Sequence, residues 1–309
     1  MIAAFAPATV SNVACGFDVL GFPLDAPGDL VIAEARAEVG VEIVAISGDA
    51  GRLSRDPQRN TAGAAVLTFL DRIGAARGIR LTLHKGLPLA SGVGSSAASA
   101  VAALVATNEL LGRPAPLDLL LQCAMAGEGA GCGAEHPDNV APALYGGFVL
   151  ARAAHPPDII RLPCPPGLAC AVLHPHLEIE TAAARALLGG SVALADAVRQ
   201  WGNLGALVAG LYTSDLALIS RSLEDHIAEP KRAHLVPGFH AVKQAARVAG
   251  ALGCSLSGAG PSMFALCHSL EVATRVGEAM QRAFATVAPA VDADLWVSPI
   301  GRGARLVTA

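Results

Sequence analysis

The sequence predicts an α+β chain of two domains, and three observations carry that expectation. Strand-like alternation, as in Ile79-Arg80-Leu81-Thr82-Leu83, is mixed with helical stretches such as the Ala-, Leu- and Val-rich run from Ala97 to Leu111, without strict βαβ order. A proline-rich stretch from Ala154 to Gly167 separates two such mixtures and divides the chain into residues 1–153 and 154–309. The 309 residues suffice for two modest cores, built mainly from Ala, Val and Leu because 53% of residues are hydrophobic and only 4% aromatic.

Taken in order, Ile2–Phe5 reads as a first strand and Pro7–Gly16 as a loop, with strands at Leu30–Arg36 and Val41–Ile46. Asn60 is suited to cap a helix in which Val66, Phe69, Leu70 and Ile73 fall at i, i+3, i+4 and i+7. The Ile79 strand, a glycine-serine loop and the Ala97 helix follow. Pro114 and Pro116 introduce a helix over Leu117–Gly127 that ends at Glu128. A glycine-rich turn, Gly129–Gly133, then precedes Glu135-His136-Pro137-Asp138-Asn139, and Gly147–Arg152 is a strand. Beyond the proline-rich stretch come a strand at Leu168–Leu173, a helix after Thr181, and helices at Leu194–Leu211, Ser214–His226 and Phe239–Ala251. Strands Cys254–Ser257 and Ser262–Cys267 flank Gly258-Ala259-Gly260, and a helix at Leu270–Phe284 and a strand near Leu295–Val297 complete the pattern.

Composition excludes several functions. The formal charge of −4, with no Lys/Arg cluster, argues against nucleic acid as a partner. No apolar run is long enough for a membrane span, and the N-terminus has no basic region leading into an apolar segment. The seven cysteines (Cys15, Cys123, Cys132, Cys164, Cys170, Cys254, Cys267) contain no C-x-x-C pair, which points to buried free thiols and a cytoplasmic protein. His174-Pro175-His176 has no further ligand spacing and reads as loop residues after a strand rather than a metal site.

The most informative stretch is Lys85-Gly86-Leu87-Pro88-Leu89-Ala90-Ser91-Gly92-Val93-Gly94-Ser95-Ser96, which runs straight into the Ala97 helix. Its glycines permit tight turns and close approach of a ligand to backbone amides. Ser95 and Ser96 stand where the first helical N–H groups lack intrahelical partners, so amides and hydroxyls together suit an anion. The loop has neither the Gly-Lys-Ser/Thr ending of a P-loop nor G-x-G-x-x-G. Lys85 either meets phosphate or is a solvated surface lysine.

Three stretches, in the same order, resemble the motifs of the GHMP small-molecule kinases. They are Pro7 to Asp18, the loop from Leu87 to Ala97, and Leu256-Ser257-Gly258-Ala259-Gly260-Pro261-Ser262. The first departs from the family pattern at Val10 and at Ala14-Cys15, which stands for the common Gly-Pro, yet keeps Asn12 and Asp18. The resemblance implies an N-terminal domain like the second domain of ribosomal protein S5 and a ferredoxin-like C-terminal domain, with the site between them. It further implies ATP held by Lys85 and Pro88 to Ser96, a third motif at Gly258, Ala259 and Gly260, Mg²⁺ held by Ser96 and Glu128, and a homodimer. Glu128 read alone is a solvated charge at a helix end; the family pattern makes it the metal ligand.

Phosphoryl transfer needs charge stabilisation, a metal and an in-line nucleophile, and little covalent help. On the acceptor side stand Asn12, Asp18, His136, Asn139, Thr181, Arg185 and Arg232. Two arginines with one carboxylate suit a zwitterionic amino acid: guanidinium groups for its carboxylate, Asp18 for its ammonium. Segments around Asp138-Asn139-Val140, Thr181 to Arg185 and Glu229 to Arg232 resemble the amino-acid-phosphorylating branch of the family. Family members that act on sugars or mevalonate carry an Asp near Asn139, and an amide is no proton acceptor. Catalysis by Ser96, Glu128 and Asn139 through positioning and electrostatics is therefore expected, with the hydroxyl proton passing to a phosphate oxygen. A kinase for an uncharged alcohol and a ligand-binding protein without turnover are the alternatives.

Overall fold

The computed structural model describes residues 1–133 and 135–308, and of Gly131 and Cys132 the backbone alone. Its first half opens with β1 (Ile2–Ser11), β2 (Leu20–Arg36) and β3 (Gly40–Ser47), then α1 (Thr61–Arg72), β4 (Gly78–His84), α2 (Ser95–Leu110), α3 (Leu117–Cys132), α4 (Pro137–Tyr145), β5 (Val149–Ala153) and β6 (Asp158–Arg161). The second half contains β7 (Ala169–Pro175), α5 (Thr181–Ala186), α6 (Leu194–Thr213), α7 (Leu216–Ser222), α8 (Glu229–Arg232), α9 (Phe239–Val248), β8 (Gly253–Leu256), β9 (Met263–Cys267), α10 (Leu270–Val287), β10 (Ala293–Pro299) and β11 (Arg305–Val307).

One sheet runs β11-β1-β2-β4-β3, antiparallel except for the β3–β4 pair, with the β5–β6 hairpin joined to β2. The other runs β10-β7-β9-β8 and is antiparallel throughout. Alternating burial along β4, with Ile79, Leu81 and Leu83 inward and Arg80 outward, follows from the pleat. Asn60 caps α1 through its side-chain oxygen on the amides of Ala62 and Gly63, as its position predicts.

Helix α2 lies between the first sheet and helices α1 and α3, buried almost all round. Its sequence, SSAASAVAALVATNEL, shows why: small side chains let neighbours approach from every side, so no polar face is needed. The second core gathers Phe239, Val242, Met280 and Phe284 from α9 and α10 beneath the smaller sheet. The two halves share apolar packing where Phe22 of β2 meets Phe148 at 4.8 Å and Phe264 of β9 at 6.1 Å between ring centroids.

Several boundaries differ from the sequence expectation. Pro7 to Ser11 is strand, not loop, because β1 continues past a register shift to pair Thr9 with Pro23 and Ser11 with Gly21. Helix α3 continues through Glu128 to Cys132, so Gly129 to Cys132 is helical backbone and Glu128 is not at a helix end. The glycine at 127 is there for packing: a Cβ would lie 2.6 Å from the Thr61 carbonyl of α1 and 2.7 Å from the Ala65 Cβ. The expected helix at Ser214–His226 is only Leu216–Ser222. The division at 153/154 falls inside the β5–β6 hairpin, and β11 returns to pair with β1, so the first sheet takes strands from both sides of it. His174 is the sixth residue of β7, buried, and not in a loop. Five cysteines are buried free thiols and Cys164 is exposed; Cys132 lies outside the described side chains. Among the described residues no helix is long and apolar enough to cross a membrane.

Candidate active site

Helix α2 begins without a side-chain cap. Gly94 sits before it at φ +66°, and the helix ladder starts with the Ala98 N–H donating to the Gly94 carbonyl. The amides of Ser95, Ser96 and Ala97 thus lack intrahelical partners, at the positive end of the helix dipole. Ser95 and Ser96 border a cavity of about 540 Å³ that draws on all three motifs and on α3, α4 and α5. Leu89, Ala90, Ser91, Gly92, Gly94, Ser95 and Ser96 line it. Pro88 and Val93 do not: the Pro88 carbonyl accepts from the Ser91 hydroxyl, and Val93 is buried with its carbonyl accepting from the Thr9 N–H.

The glycines of this loop are sterically required. At Gly92, φ is +77°, and a Cβ would stand 2.5 Å from the Ser257 carbonyl oxygen and 2.6 Å from that of Gly260. At Gly94 a Cβ would collide with the Thr9 hydroxyl and lie 2.8 Å from Asn139 Oδ1. The third motif presses on the loop as a clasp. The Ser257 hydroxyl donates to the Gly92 carbonyl and the Ser262 hydroxyl to that of Ser91, each at 2.7 Å. Because Ser262 spends its proton there, His174 Nδ1, 3.0 Å away, is the donor to Ser262 Oγ. Burial pushes His174 down to about 4, so the donor is a neutral imidazole, stacked on Trp296 at 5.6 Å. Gly258 and Ala259 reach the cavity wall; Gly260 does not.

Lys85 is not a solvated lysine, although it lies on the cavity lining. Its ammonium is buried in an ion pair with Asp29 and also donates to the Ser95 carbonyl at 2.7 Å and the Ser99 hydroxyl at 2.8 Å, which uses all three protons. The other Asp29 oxygen accepts from the amides of Gly86 and Leu87. The pair therefore anchors both ends of the loop from beneath.

Opposite the helix start, three buried polar atoms have no protein partner: Glu128 Oε1, His136 Nε2 and Asp138 Oδ1. Buried acceptors left open in this way are costly and mark a place for a ligand. The second Glu128 oxygen lies 3.3 Å from His136 Nδ1, and that hydrogen bond raises the affinity of His136 for its proton. Asp138 is pushed up to about 7, chiefly by burial and then by the nearby Asp18 charge. Asn139 Oδ1 accepts from the Thr9 hydroxyl at 2.8 Å, which aims its amide along the cavity wall beside Gly94. Mg²⁺ takes hard oxygen ligands and keeps much of its water. The free carboxylate oxygen of Glu128 fits that requirement, with Ser96 at the first turn of α2 on the same cavity.

The acceptor-side residues also converge. Arg185 donates to both oxygens of Asp18 at 2.8 Å, a bidentate pair that spans 167 residues of sequence and stays solvent-accessible. The sequence expectation gave these two charges separate partners; here they satisfy each other. Arg232 is buried, with Nε donating to the Ala184 carbonyl at 3.1 Å and Nη1 to Gly258 at 3.4 Å. Burial, then the Arg185 charge, lowers its proton affinity. The two guanidinium carbons stand 5.5 and 5.3 Å from the centre of the Phe17 ring, which holds them side by side. Thr181, first residue of α5, lines the same space. Asn12 lines it as well and also braces it: its Oδ1 accepts from the Asp18 amide and its Nδ2 donates to the Gly258 carbonyl. Of the departures in the first motif, Val10 lies within β1, whereas Ala14 is on left-handed backbone at φ +58°, following Asn12 at +67° and Val13 at +44°. Val13, β-branched, is strained at that φ, and Asp18, itself at φ +60°, lines the cavity. Sequence reasoning did not single out Thr9, Asp29 or Ser99, and read His174 only as a loop residue; the roles of all four depend on partners remote in the chain.

A clasped glycine loop on a bare helix start, facing open carboxylate oxygens, defines a nucleotide-dependent phosphotransferase site. The family model for the GHMP kinases N terminal domain matches residues 60–147, and that for the GHMP kinases C terminal matches residues 207–286. The chain belongs to the GHMP kinase family. Its relatives include the homoserine kinase of Chlorobium phaeobacteroides strain BS1, 52% identical with 99% of each chain covered. The homoserine kinase of Chlorobaculum tepidum is 50% identical over 99% of this chain and 98% of its own. Among solved structures, homoserine kinase from Cytophaga hutchinsonii superposes with a TM-score of 0.96 at 50% identity, covering 99% of this chain and 97% of that one.

Proposed function

We propose that this chain transfers the γ-phosphoryl group of ATP to the side-chain hydroxyl of L-homoserine, giving O-phospho-L-homoserine and ADP. The observation that carries the substrate assignment is the accessible Asp18–Arg185 pair beside buried Arg232, across the cavity from the α2 amides. A zwitterionic amino acid enters by exchange: its ammonium takes Asp18 and its carboxylate takes the arginines, so each protein charge keeps an opposite partner. A sugar or mevalonate offers no ammonium to Asp18. Full-length relatives named homoserine kinase support the same reading.

The amides at the start of α2 would hold phosphate oxygens, and Glu128 with Ser96 would hold Mg²⁺. Bound there, the metal would offset charge on the phosphates. Asn139, fixed by Thr9, positions the acceptor, and the hydroxyl proton passes to a phosphate oxygen. A second proton route is favoured by one observation: Asp138 presents a free buried oxygen on the same cavity, and burial pushes its carboxyl up toward the range of a general base.

ADP release with a panel of alcohols tests the assignment. L-Homoserine is the expected substrate, and turnover of mevalonate or galactose in its place would overturn it. Glu128→Gln is expected to lower kcat by about 100-fold or more while nucleotide binding changes little, because the amide cradle is separate. Calorimetric nucleotide titration beside steady-state rates checks this, and an unchanged rate across a Mg²⁺ titration would contradict it.

Asp138 also makes a stability prediction. Its proton affinity in the folded chain, about 7, lies above the ordinary 3.8. Its stabilising contribution is therefore complete below the unfolded value and is lost as pH rises through about 7. Asp138→Asn should melt increasingly above wild type as pH is raised from 4 to 7.5, in thermal denaturation followed by circular dichroism. A loss of kcat above about 100-fold in the same variant selects the Asp138 proton route; a smaller loss selects the phosphate oxygen.

A further inference from the structure

Among the described residues of helix α6, Gln200 is the one polar side chain that is buried, and its amide is fully used. Nε2 donates at 3.0 Å both to the Cys15 carbonyl and to Asp225 Oδ1, and Oε1 accepts from the His226 N–H at 2.8 Å. Both protons and the oxygen are thereby engaged. Gln200 does not line the cavity, yet each end of this contact leads to a residue that does. Cys15 follows the left-handed run of Asn12, Val13 and Ala14 and stands three residues before Asp18. Backbone strained in this way persists only where its surroundings hold it, and the Cys15 carbonyl is one point at which it is held.

On the other side, Asp225 organises the turn that starts α8. Its Oδ1 also accepts from the amides of Ile227 and Ala228, and its Oδ2 from that of Glu229. A helix of four residues, Glu229–Arg232, does not order itself, because helix nucleation is costly and is recovered only with length. The Asp225 carboxylate supplies that order, and Arg232 is the last residue of the helix it starts. Asn203, one turn beyond Gln200 on α6, donates to the Glu224 carbonyl at 3.1 Å, so α6 grips this segment twice.

We propose that Gln200 is a positioning residue for the acceptor: one buried amide sets the distance between the loop that carries Asp18 and the helix that carries Arg232. The inference rests on the reading of those two residues as holders of the amino acid's two charges. Glutamine suits the place because two acceptors and one donor converge on it. A glutamate there would face the Asp225 carboxylate and the Cys15 carbonyl with no proton to offer either, and a methionine would keep the shape but make none of the three bonds. Either change lets the two charge holders shift relative to each other, and small displacements of positioning groups are expensive. The phosphate loop is held separately, by the Ser257 and Ser262 hydroxyls and by the Lys85–Asp29 pair.

Steady-state kinetics on the full chain, with L-homoserine and ATP varied in turn, tests the proposal. Gln200→Met and Gln200→Glu should each raise KM for homoserine at least about tenfold, while KM for ATP stays within about twofold of wild type. Leu207→Ala, which truncates a fully buried side chain on the same helix, should lower the melting temperature and leave both KM values unchanged. When Gln200→Met is combined with Asp18→Asn, the loss should fall short of the product of the two single losses, because part of the Gln200 effect runs through Asp18. An unchanged KM for homoserine in a folded Gln200 variant would overturn the proposal. So would an equal rise in both KM values, the same rise in Leu207→Ala, or a full product in the double variant. A wild type that does not turn over homoserine would overturn the substrate reading and the proposal with it. An active wild type beside an unaffected Gln200 variant would overturn the proposal alone.

Discussion

Lys85→Met is expected to lower the melting temperature by about 10 °C and to weaken nucleotide binding through loss of loop order. Removing the lysine leaves Asp29 as a buried carboxylate without its cation, which costs about 3–5 kcal/mol, and each kcal/mol moves the melting point of a chain this size by about 2–4 °C. The Asp29 carboxylate also receives the amides of Gly86 and Leu87, and the Ser95 carbonyl loses its ammonium donor, so both ends of the loop are released together. Adding Asp29→Asn should restore part of the stability, because the amide oxygen still accepts from those amides while no charge is left buried. Differential scanning calorimetry on the two variants checks the order. A lysine acting directly on phosphate predicts the opposite pattern: a raised KM for ATP with an unchanged melting temperature.

Arg185→Ala is expected to be the most damaging change on the acceptor side, with kcat/KM for homoserine down by about 100-fold or more. It removes a guanidinium from the substrate carboxylate and strands Asp18 in the free enzyme. Arg232→Lys keeps the charge but loses the planar fork that now reaches Ala184 and Gly258, so its effect should fall mainly on KM. Asp18→Asn discriminates between roles. If Asp18 receives the ammonium, the variant loses homoserine far more than 4-hydroxybutyrate, which has no ammonium. Equal losses on both substrates would show that Asp18 serves only to hold Arg185. ATP binding should survive all three changes, because the phosphate loop is held by other residues.

What the sequence made legible was local. Glycines that no side chain can replace, at 92 and 94, mark the phosphate loop in any reading, and Asn60 announces the start of α1. The α+β class followed from the mixture of periodicities. What stayed hidden depends on partners far along the chain. Nothing near Lys85 signals that Asp29, 56 residues earlier, neutralises it. The glycines around Glu128 suggested a turn, whereas Gly127 lies flush against α1 and the helix runs on. Strands β6 and β11 are too short for alternation to show, and they become strands because β5 and β1 offer them unpaired edges. The sequence placed Asp18 and Arg185 in one site but not in one ion pair, since no spacing rule relates residues so far apart.

The central claim is that phosphate is transferred to the side-chain oxygen of an amino acid held by its two charges. Proton-coupled ³¹P spectroscopy of a reaction containing ATP, Mg²⁺ and L-homoserine tests it most directly. The account predicts a new monoester resonance split into a triplet by the methylene that bears the hydroxyl, growing in step with ADP. An acyl phosphate lacking that coupling, or ADP accompanied only by inorganic phosphate, would contradict it.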